Sequence, residues 1–353
     1  MALVRAFAAL GALSLLACAA TFPPKTVGER LSPDAQAVLA YLKALPDRQD
    51  KRVLSGQFAG HCQDAVWGFD HWVRRLHDAT GRWPAMIGVD YGWYQGKTDV
   101  PDLHKANEPL KGYWGRGGLV TVSWHAPNPW TGGDAWDRSR TGSLREILTP
   151  GTDANARWMS DLNVVAHGLE DLQEAGVVVL WRPFHEMNGA WFWWGGGDPE
   201  DFKALWHGMF DYLTGTQGLR NLLWVYAPAL QQYEHIRPED ECYPGDAFVD
   251  VVGLDVYDDN PDIKCYERML ALGKPFGFTE YGPAGRSALL RDYDCSSLIR
   301  LIRERYPRVC FFLFWAGGGL RDPSMVSQQD ASRLLSDPWV TTLDEVERRA
   351  ASP

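Results

Sequence analysis

Eight short β-rich runs, separated by segments long enough for a helix, constrain the fold of this chain more than any other feature. In order they are VLSGQF (53–58), PAMIGVDY (84–91), GLVTVSWH (118–125) and VVVLWRPFHE (177–186), then NLLWVYAP (221–228), VDVVGLDVY (249–257), PFGFTEYG (275–282) and VCFFLFWA (309–316). Most are nearly continuous in apolar residues, the pattern of strands buried on both faces of a parallel sheet. Helical patterns lie between most of them. Residues 153–174 carry Trp158, Leu162, Val165, Leu169 and Leu172 at helical spacing, with Gly176 just past the end. Asp198-Pro199-Glu200 supplies an N-cap, a first-turn proline and a first-turn acid ahead of Phe202 and Leu205. Residues 64–79 behave similarly, and only 229–248, rich in Pro, acids and Gln, resists a helix. Eight βα units predict an α/β fold, a (β/α)8 TIM barrel. A chain of 353 residues would suit two domains by length alone, but no repeat, low-complexity tract or linker marks a second one. A single catalytic domain over 25–353 is therefore expected, with a helix at 32–45 preceding or capping the barrel.

The first twenty residues stand apart. Arg5, an apolar run from Ala6 to Ala17 and small residues around Cys18 predict a signal peptide over 1–20, because the run is too short to span a bilayer. Leu15-Leu16-Ala17-Cys18 also resembles a bacterial lipobox, so lipidation of Cys18 and ordinary cleavage nearby both fit. Either implies export, as a secreted, periplasmic or outer-membrane protein. The formal charge of −10, without a Lys/Arg cluster, argues against a nucleic-acid partner. Beyond Cys18 the cysteines are Cys62, Cys242, Cys265, Cys295 and Cys310, with no CxxC spacing to suggest zinc. In an oxidising compartment a Cys242–Cys265 disulfide is the first candidate, since the two flank one predicted strand.

Catalytic groups of such barrels sit at the C-terminal ends of the strands. Those ends hold Asp90 and Tyr91, His125, His185 and Glu186, Asp255 and Tyr257, Glu280 and Tyr281, and Trp315. Solvent exposure explains polar residues there, but not two glutamates each flanked by aromatics. Facing carboxylates are what glycosidic cleavage needs: one kept protonated to donate to the leaving oxygen, one ionised to meet the anomeric carbon. Glu186, among Phe184, Met187 and Trp191, suits the acid, because apolar neighbours raise a carboxyl pKa. Glu280, within reach of the Tyr257 phenol, suits the nucleophile. The chain's 17 tryptophans then gain a second reading besides core. Of Trp130, Trp191, Trp193, Trp194 and Trp315, one or two at least should line a cleft and pack on pyranose C–H faces. Asp90 and Asp255 read equally well as substrate contacts or loop caps, and His61, His71 and His77 as structural or exposed.

RPFHEMNGAWFWWG (182–195) resembles the acid/base segment of glycoside hydrolase family 26, the β-mannanases. PAMIGVDYGW (84–93), GGLVTVSWHAPNP (117–129), VGLDVY (252–257) and FTEYGP (278–283) match the same family's pattern in order, over nearly the whole mature chain. The resemblance implies a retaining hydrolase of β-1,4-mannosidic bonds in mannan-type polysaccharides, with Glu186 as general acid/base and Glu280 as nucleophile. It further implies sugar contacts from His125 and Trp191, contact or orientation from His185, a Tyr257 bond to the nucleophile, and Trp315 as the floor under the reacting sugar. Retention implies carboxyl groups roughly 5–5.5 Å apart. Neither cofactor nor metal is implied.

One departure stands out. Some members carry a basic residue after the strand 8 tryptophan, whereas Ala316 and three glycines follow Trp315 here. That leaves open how more distant sugars are gripped, and whether action is endo or exo. β-1,3-Xylan and mixed-linkage glucan are alternative substrates within the family. A non-catalytic sugar-binding barrel is the rival from another class, though it would not need both glutamates. A zinc hydrolase fits poorly, because Gly189 occupies the place of the second histidine in the helical motif that His185-Glu186 begins.

Overall fold

The computed structural model describes residues 30–92, 102–231, 235–317 and 322–347. The predicted signal peptide, Cys18, and Gly318 and Gly319 after the strand 8 tryptophan lie outside the described residues. The eight expected runs form β1 (Val53–His61), β2 (Met86–Asp90), β3 (Leu119–Trp124), β4 (Val179–Pro183), β5 (Leu222–Tyr226), β6 (Val251–Tyr257), β7 (Phe276–Gly282) and β8 (Val309–Phe314). Each pairs in parallel with the next, and β1 pairs with both β8 and β2, so the sheet closes into a (β/α)8 barrel. Their near-continuous apolar character follows from burial on both faces, one toward the barrel interior and one toward the helices.

Helix ends follow the local chemistry. Ser32 caps α1 (Pro33–Ala44), with Pro33 in the first turn. After β1 a helical segment over 65–80, here α2, contains a π-helical stretch at Phe69–Arg74. Further on come α3 (Leu103–Gly115), α4 (Asp153–Glu174) and α5 (Pro199–Phe210). Thr152 caps α4 and Asp198 caps α5, each accepting from a first-turn N–H, and Gly176 in the left-handed region follows α4. Between β5 and β6 the described residues contain only a short 3₁₀ turn, Asp246–Phe248, in keeping with the resistance of 229–248 to a helical reading. No helix among the described residues is long and apolar enough to cross a membrane.

Two features were not expected from sequence. A ninth strand, β9 (Val340–Thr341), pairs in parallel with the start of β1 through Val53 and Leu54, before β2 begins to pair at Gly56. Register also shifts between Phe58 and His61 on β1, and at Leu254/Asp255 where β6 meets β7. Bulges re-aim side chains at barrel rims. The second one sets Asp255 directly beside Glu280.

The expected Cys242–Cys265 disulfide is absent: both are buried free thiols. Flanking one strand does not bring Cβ atoms to the approach that a disulfide requires. The Cys265 thiol instead bonds the buried Glu239 carboxylate, which with burial pushes its pKa up. Of the five tryptophans from which one or two at least were expected to line a cleft, Trp191 and Trp315 do so and the other three belong to the core. Trp193 and Trp194 are buried and donate to the carbonyls of Ala126 and His185 at 2.8 and 2.9 Å, and Trp130 donates to Glu146 at 2.9 Å.

Candidate active site

The C-terminal ends of the strands surround a cleft of about 580 Å³, lined by His125, His185, Glu186, Trp191, Tyr257, Glu280 and Trp315 among others. All seven residues singled out from sequence thus meet in one place. A second lobe of about 340 Å³ lies on the far side of Glu186, Trp191 and Tyr257, against Leu230, His235 and Ile236.

Glu280 ends a greasy strand and is buried, so its charge must be met by protein groups. Arg182 Nη2 donates to Glu280 Oε1 at 2.5 Å, and the Tyr257 hydroxyl donates to Oε2 at 2.6 Å. Arg182 also donates through Nη1 to Asp255 Oδ2 at 2.8 Å, and Thr279 donates to Asp255 Oδ1 at 2.6 Å. One guanidinium therefore spans two carboxylates, a geometry that suits its planar fork. Arg182 was not singled out from sequence, although the signal is there: an arginine inside an apolar strand must have partners. Asp255 is buried, borders the second lobe rather than the main cleft, and locks Arg182 in place.

Glu186 sits in a different setting. The chain leaves β4 with Phe184 and Glu186 both at positive φ, +50° and +56°, on either side of His185. Such backbone is costly for residues with side chains and gathers where a site needs a particular aim. The Glu186 N–H bonds the Ala227 carbonyl at 2.7 Å, which holds the turn. The loop then folds back tightly enough that a Cβ at Gly195 would come within 2.2 Å of the Gly189 carbonyl oxygen. This path brings Trp191 Nε1 to Glu186 Oε2 at 2.6 Å. Burial, and then the nearby Glu280 charge, push the Glu186 carboxyl up to about 7 against that indole bond. Its outer edge still opens on the cleft. One carboxylate oxygen from each of Glu186, Asp255 and Glu280 lies within 4.8 Å of the others.

A second polar cluster adjoins the first. Asp90 is fully buried at the end of β2 and accepts from Ser123 Oγ, and from Gly92 N at 2.6 Å, His125 N at 3.2 Å and His125 Nδ1 at 2.8 Å. Burial opposes its ionisation, but His125 and then His61 hold the carboxyl well below the ordinary range. Burial likewise opposes protonation of His125, and Asp90 overrides it to raise the pKa. His185 goes the other way, because burial, Arg182 and His125 all disfavour its charge. The facing Nε2 atoms of His125 and His185 are 3.1 Å apart, so one must donate and the other accept. His185 Nε2 also lies 3.9 Å from Glu280 Oε1, so the histidine pair adjoins the carboxylate cluster. Asp90 thus orients the His125 ring and also caps the adjoining loops through the Gly92 and His125 N–H groups, the second of its two sequence readings.

His61, read as structural or exposed, lines the cleft with its Nδ1 3.7 Å from Asp90. His71 and His77 lie away from the cleft lining, each stacked on a tryptophan, Trp67 and Trp83 respectively. Trp315 forms part of the floor: it stacks on Phe58 at 3.7 Å, with the Arg182 guanidinium 5.9 Å from its ring centre. Trp136, stacked over His125 at 4.8 Å, and Phe192 complete the wall and escaped the sequence reading. His61, Asp90 and His125 also bring ligand-type atoms within 4.8 Å of one another. The Arg182 guanidinium bridges two carboxylates of the first cluster, and the His125 ring bonds the carboxylate of the second.

A family model described as glycosyl hydrolase family 26 matches residues 27–345. A mannan endo-1,4-beta-mannosidase of Bacillus subtilis is 36% identical over 352 residues, covering 96% of this chain and 93% of the relative. A protein of the same description from Thermothelomyces thermophilus is 29% identical, over 89% of this chain and 61% of its own. Among solved structures, the Bacillus subtilis mannanase man26 superposes with a TM-score of 0.80 at 34% identity, covering 91% of this chain and 95% of that one. A Bacteroides ovatus GH26 beta-mannanase does so with a TM-score of 0.69 at 25% identity, covering 91% and 100%.

Proposed function

The chain belongs to glycosyl hydrolase family 26 and is a glycoside hydrolase, and from that premise we propose that it cleaves internal β-1,4-mannosidic bonds of mannan with retention, Glu280 as nucleophile and Glu186 as acid/base. The observation that carries this reading is the contrast between two neighbouring carboxylates. Glu280 accepts from a guanidinium and a phenol, which hold both of its oxygens in place. Glu186 receives one indole N–H in a buried pocket and holds its proton near neutrality. Their oxygens lie within 4.8 Å, which supports the short carboxyl separation of retaining enzymes over the wider gap that an inverting water needs.

In the first step Glu280 Oε attacks the anomeric carbon while Glu186 gives its proton to the departing glycosidic oxygen, and a glycosyl ester forms. Loss of the Glu280 charge then lowers the Glu186 pKa, because that charge is one of the causes that raise it. Glu186, now a carboxylate, takes a proton from water, whose oxygen displaces Glu280 and restores both groups. Trp315 would floor the reacting sugar, with His125, His185 and Trp191 around it. Room on both sides of Glu186 supports internal cleavage, and the leader read at 1–20 supports an exported enzyme.

Incubation with linear mannan, galactomannan, β-1,3-xylan and mixed-linkage glucan tests the proposal. Early release of a spread of manno-oligosaccharides is expected. Glu186→Ala and Glu280→Ala should each lose turnover by several orders of magnitude while unfolding at nearly the wild-type temperature. Mannobiose alone from the outset would refute internal cleavage. Near-normal activity in either variant would refute the residue roles.

A further inference from the structure

Among the described residues the exposed large apolar side chains include two tryptophans, Trp67 and Trp136, and both line the catalytic cleft. Trp136 lies on His125 and belongs to the reaction centre. Trp67 does not. Its ring contacts are with His71, parallel at 4.4 Å and 15°, and with Trp72, edge-on at 5.2 Å. One face of the indole is backed by an imidazole, no ring among the described residues stacks on the other, and 55% of the residue is exposed. An indole left this open forgoes the burial that a core position would give it.

The backbone holds Trp67 in place. A Cβ at the adjacent Gly68 would come within 2.1 Å of the Ala59 carbonyl oxygen, so the start of α2 is pressed directly onto β1. The helix then widens into a π-helical stretch, a feature often found at functional sites. That stretch places Trp72 in a cluster with Phe58 and Ala316 beneath Trp315. An unbroken aromatic support therefore runs from the floor of the reaction centre out to Trp67. Asp64 is exposed at the same end of the cleft, and its side chain caps no helix N–H. On the β8 side the described lining residues beyond Trp315 are Ala316 and Gly317, neither of which has a polar side chain.

We propose that Trp67 and Asp64 form a distal sugar subsite: the open indole face packs on a mannosyl unit of the same chain beyond the one on Trp315, and the carboxylate accepts from its hydroxyls. The subsite makes long mannan chains better substrates than short ones. This rests on the mannan reading above.

The test is the ratio of kcat/KM for mannohexaose to that for mannotriose in the wild type, Trp67→Ala and Trp67→Phe. The ratio should fall about tenfold in Trp67→Ala, the factor that about 1.4 kcal/mol corresponds to, and should be largely retained in Trp67→Phe. A ratio within twofold of wild type in Trp67→Ala overturns the proposal. If that variant does not fold, loss of the wild-type ratio in Asp64→Asn supports it and retention overturns it. Wild-type protein that leaves every mannan uncut would strike at the mannan reading instead. Mannohexaose binding to Glu280→Ala, with and without Trp67→Ala, then decides the subsite alone, about tenfold weaker binding supporting it and equal binding overturning it.

Discussion

Replacing Trp191 by Phe should move the basic limb of the pH–activity profile upward. The indole N–H donates to Glu186 Oε2 at 2.6 Å, and that bond lowers a pKa that burial and the Glu280 charge raise to about 7. A phenyl ring keeps the apolar wall and deletes only the donor. A hydrogen bond to a charged group contributes about 1.5–3 kcal/mol, and about 1.4 kcal/mol corresponds to one pKa unit. Complete loss would thus raise Glu186 by roughly 1–2 units. Its edge opens on the cleft, so water replaces part of the lost bond, and a shift of about one unit is expected. The sign is fixed by the proposed role: with Glu186 as the acid, it must be protonated in the free enzyme, so kcat/KM declines above its pKa. That decline should move from near pH 7 to about pH 8. Trp191 also lines the cleft, so the height of the profile will drop; only its position is diagnostic. Measurement of kcat/KM on a soluble manno-oligosaccharide from pH 4 to 10 decides the matter. A limb that stays put, or moves to lower pH, would refute the role of the indole bond.

Arg182→Met leaves the buried Asp255 and Glu280 carboxylates without their shared cation, and breaking such a set costs about 3–5 kcal/mol. Urea unfolding at pH 7 should show that loss, and an unchanged midpoint would mean that the arginine is not their essential counter-charge. Gly68→Ala should lower stability by about 1–3 kcal/mol, since the Cβ meets backbone at 2.1 Å and cannot displace it cheaply. A thermal midpoint equal to wild type would show that α2 can slide on β1.

How much of this was legible in the sequence varies from residue to residue. Glu186 and Glu280 were legible because charged groups at the ends of apolar strands, flanked by aromatics, are hard to explain by folding alone. Arg182 left the same kind of trace and was passed over. β9 left none, since two residues carry no periodicity. His61 read as peripheral because its neighbours in sequence belong to a surface helix, whereas a register shift on β1 turns it toward Asp90. The tryptophans could not be sorted at all. Trp191, Trp193 and Trp194 share one loop, yet the left-handed turns at Phe184 and Glu186 direct the first to the acid and bury the other two.

Order and kind of element follow from the sequence alone, because burial on both faces writes itself as apolar runs and helix ends as caps and glycines. From them come the barrel and the rim on which chemistry can sit. Distance does not follow. Arg182 reaches Asp255 and Glu280 across 73 and 98 residues of chain, and only closure of the sheet and the β6–β7 bulge bring them together. Coulomb interactions and desolvation depend on separations of a few ångströms and on what fills them. Which carboxylate holds its proton is therefore decided by the tertiary structure.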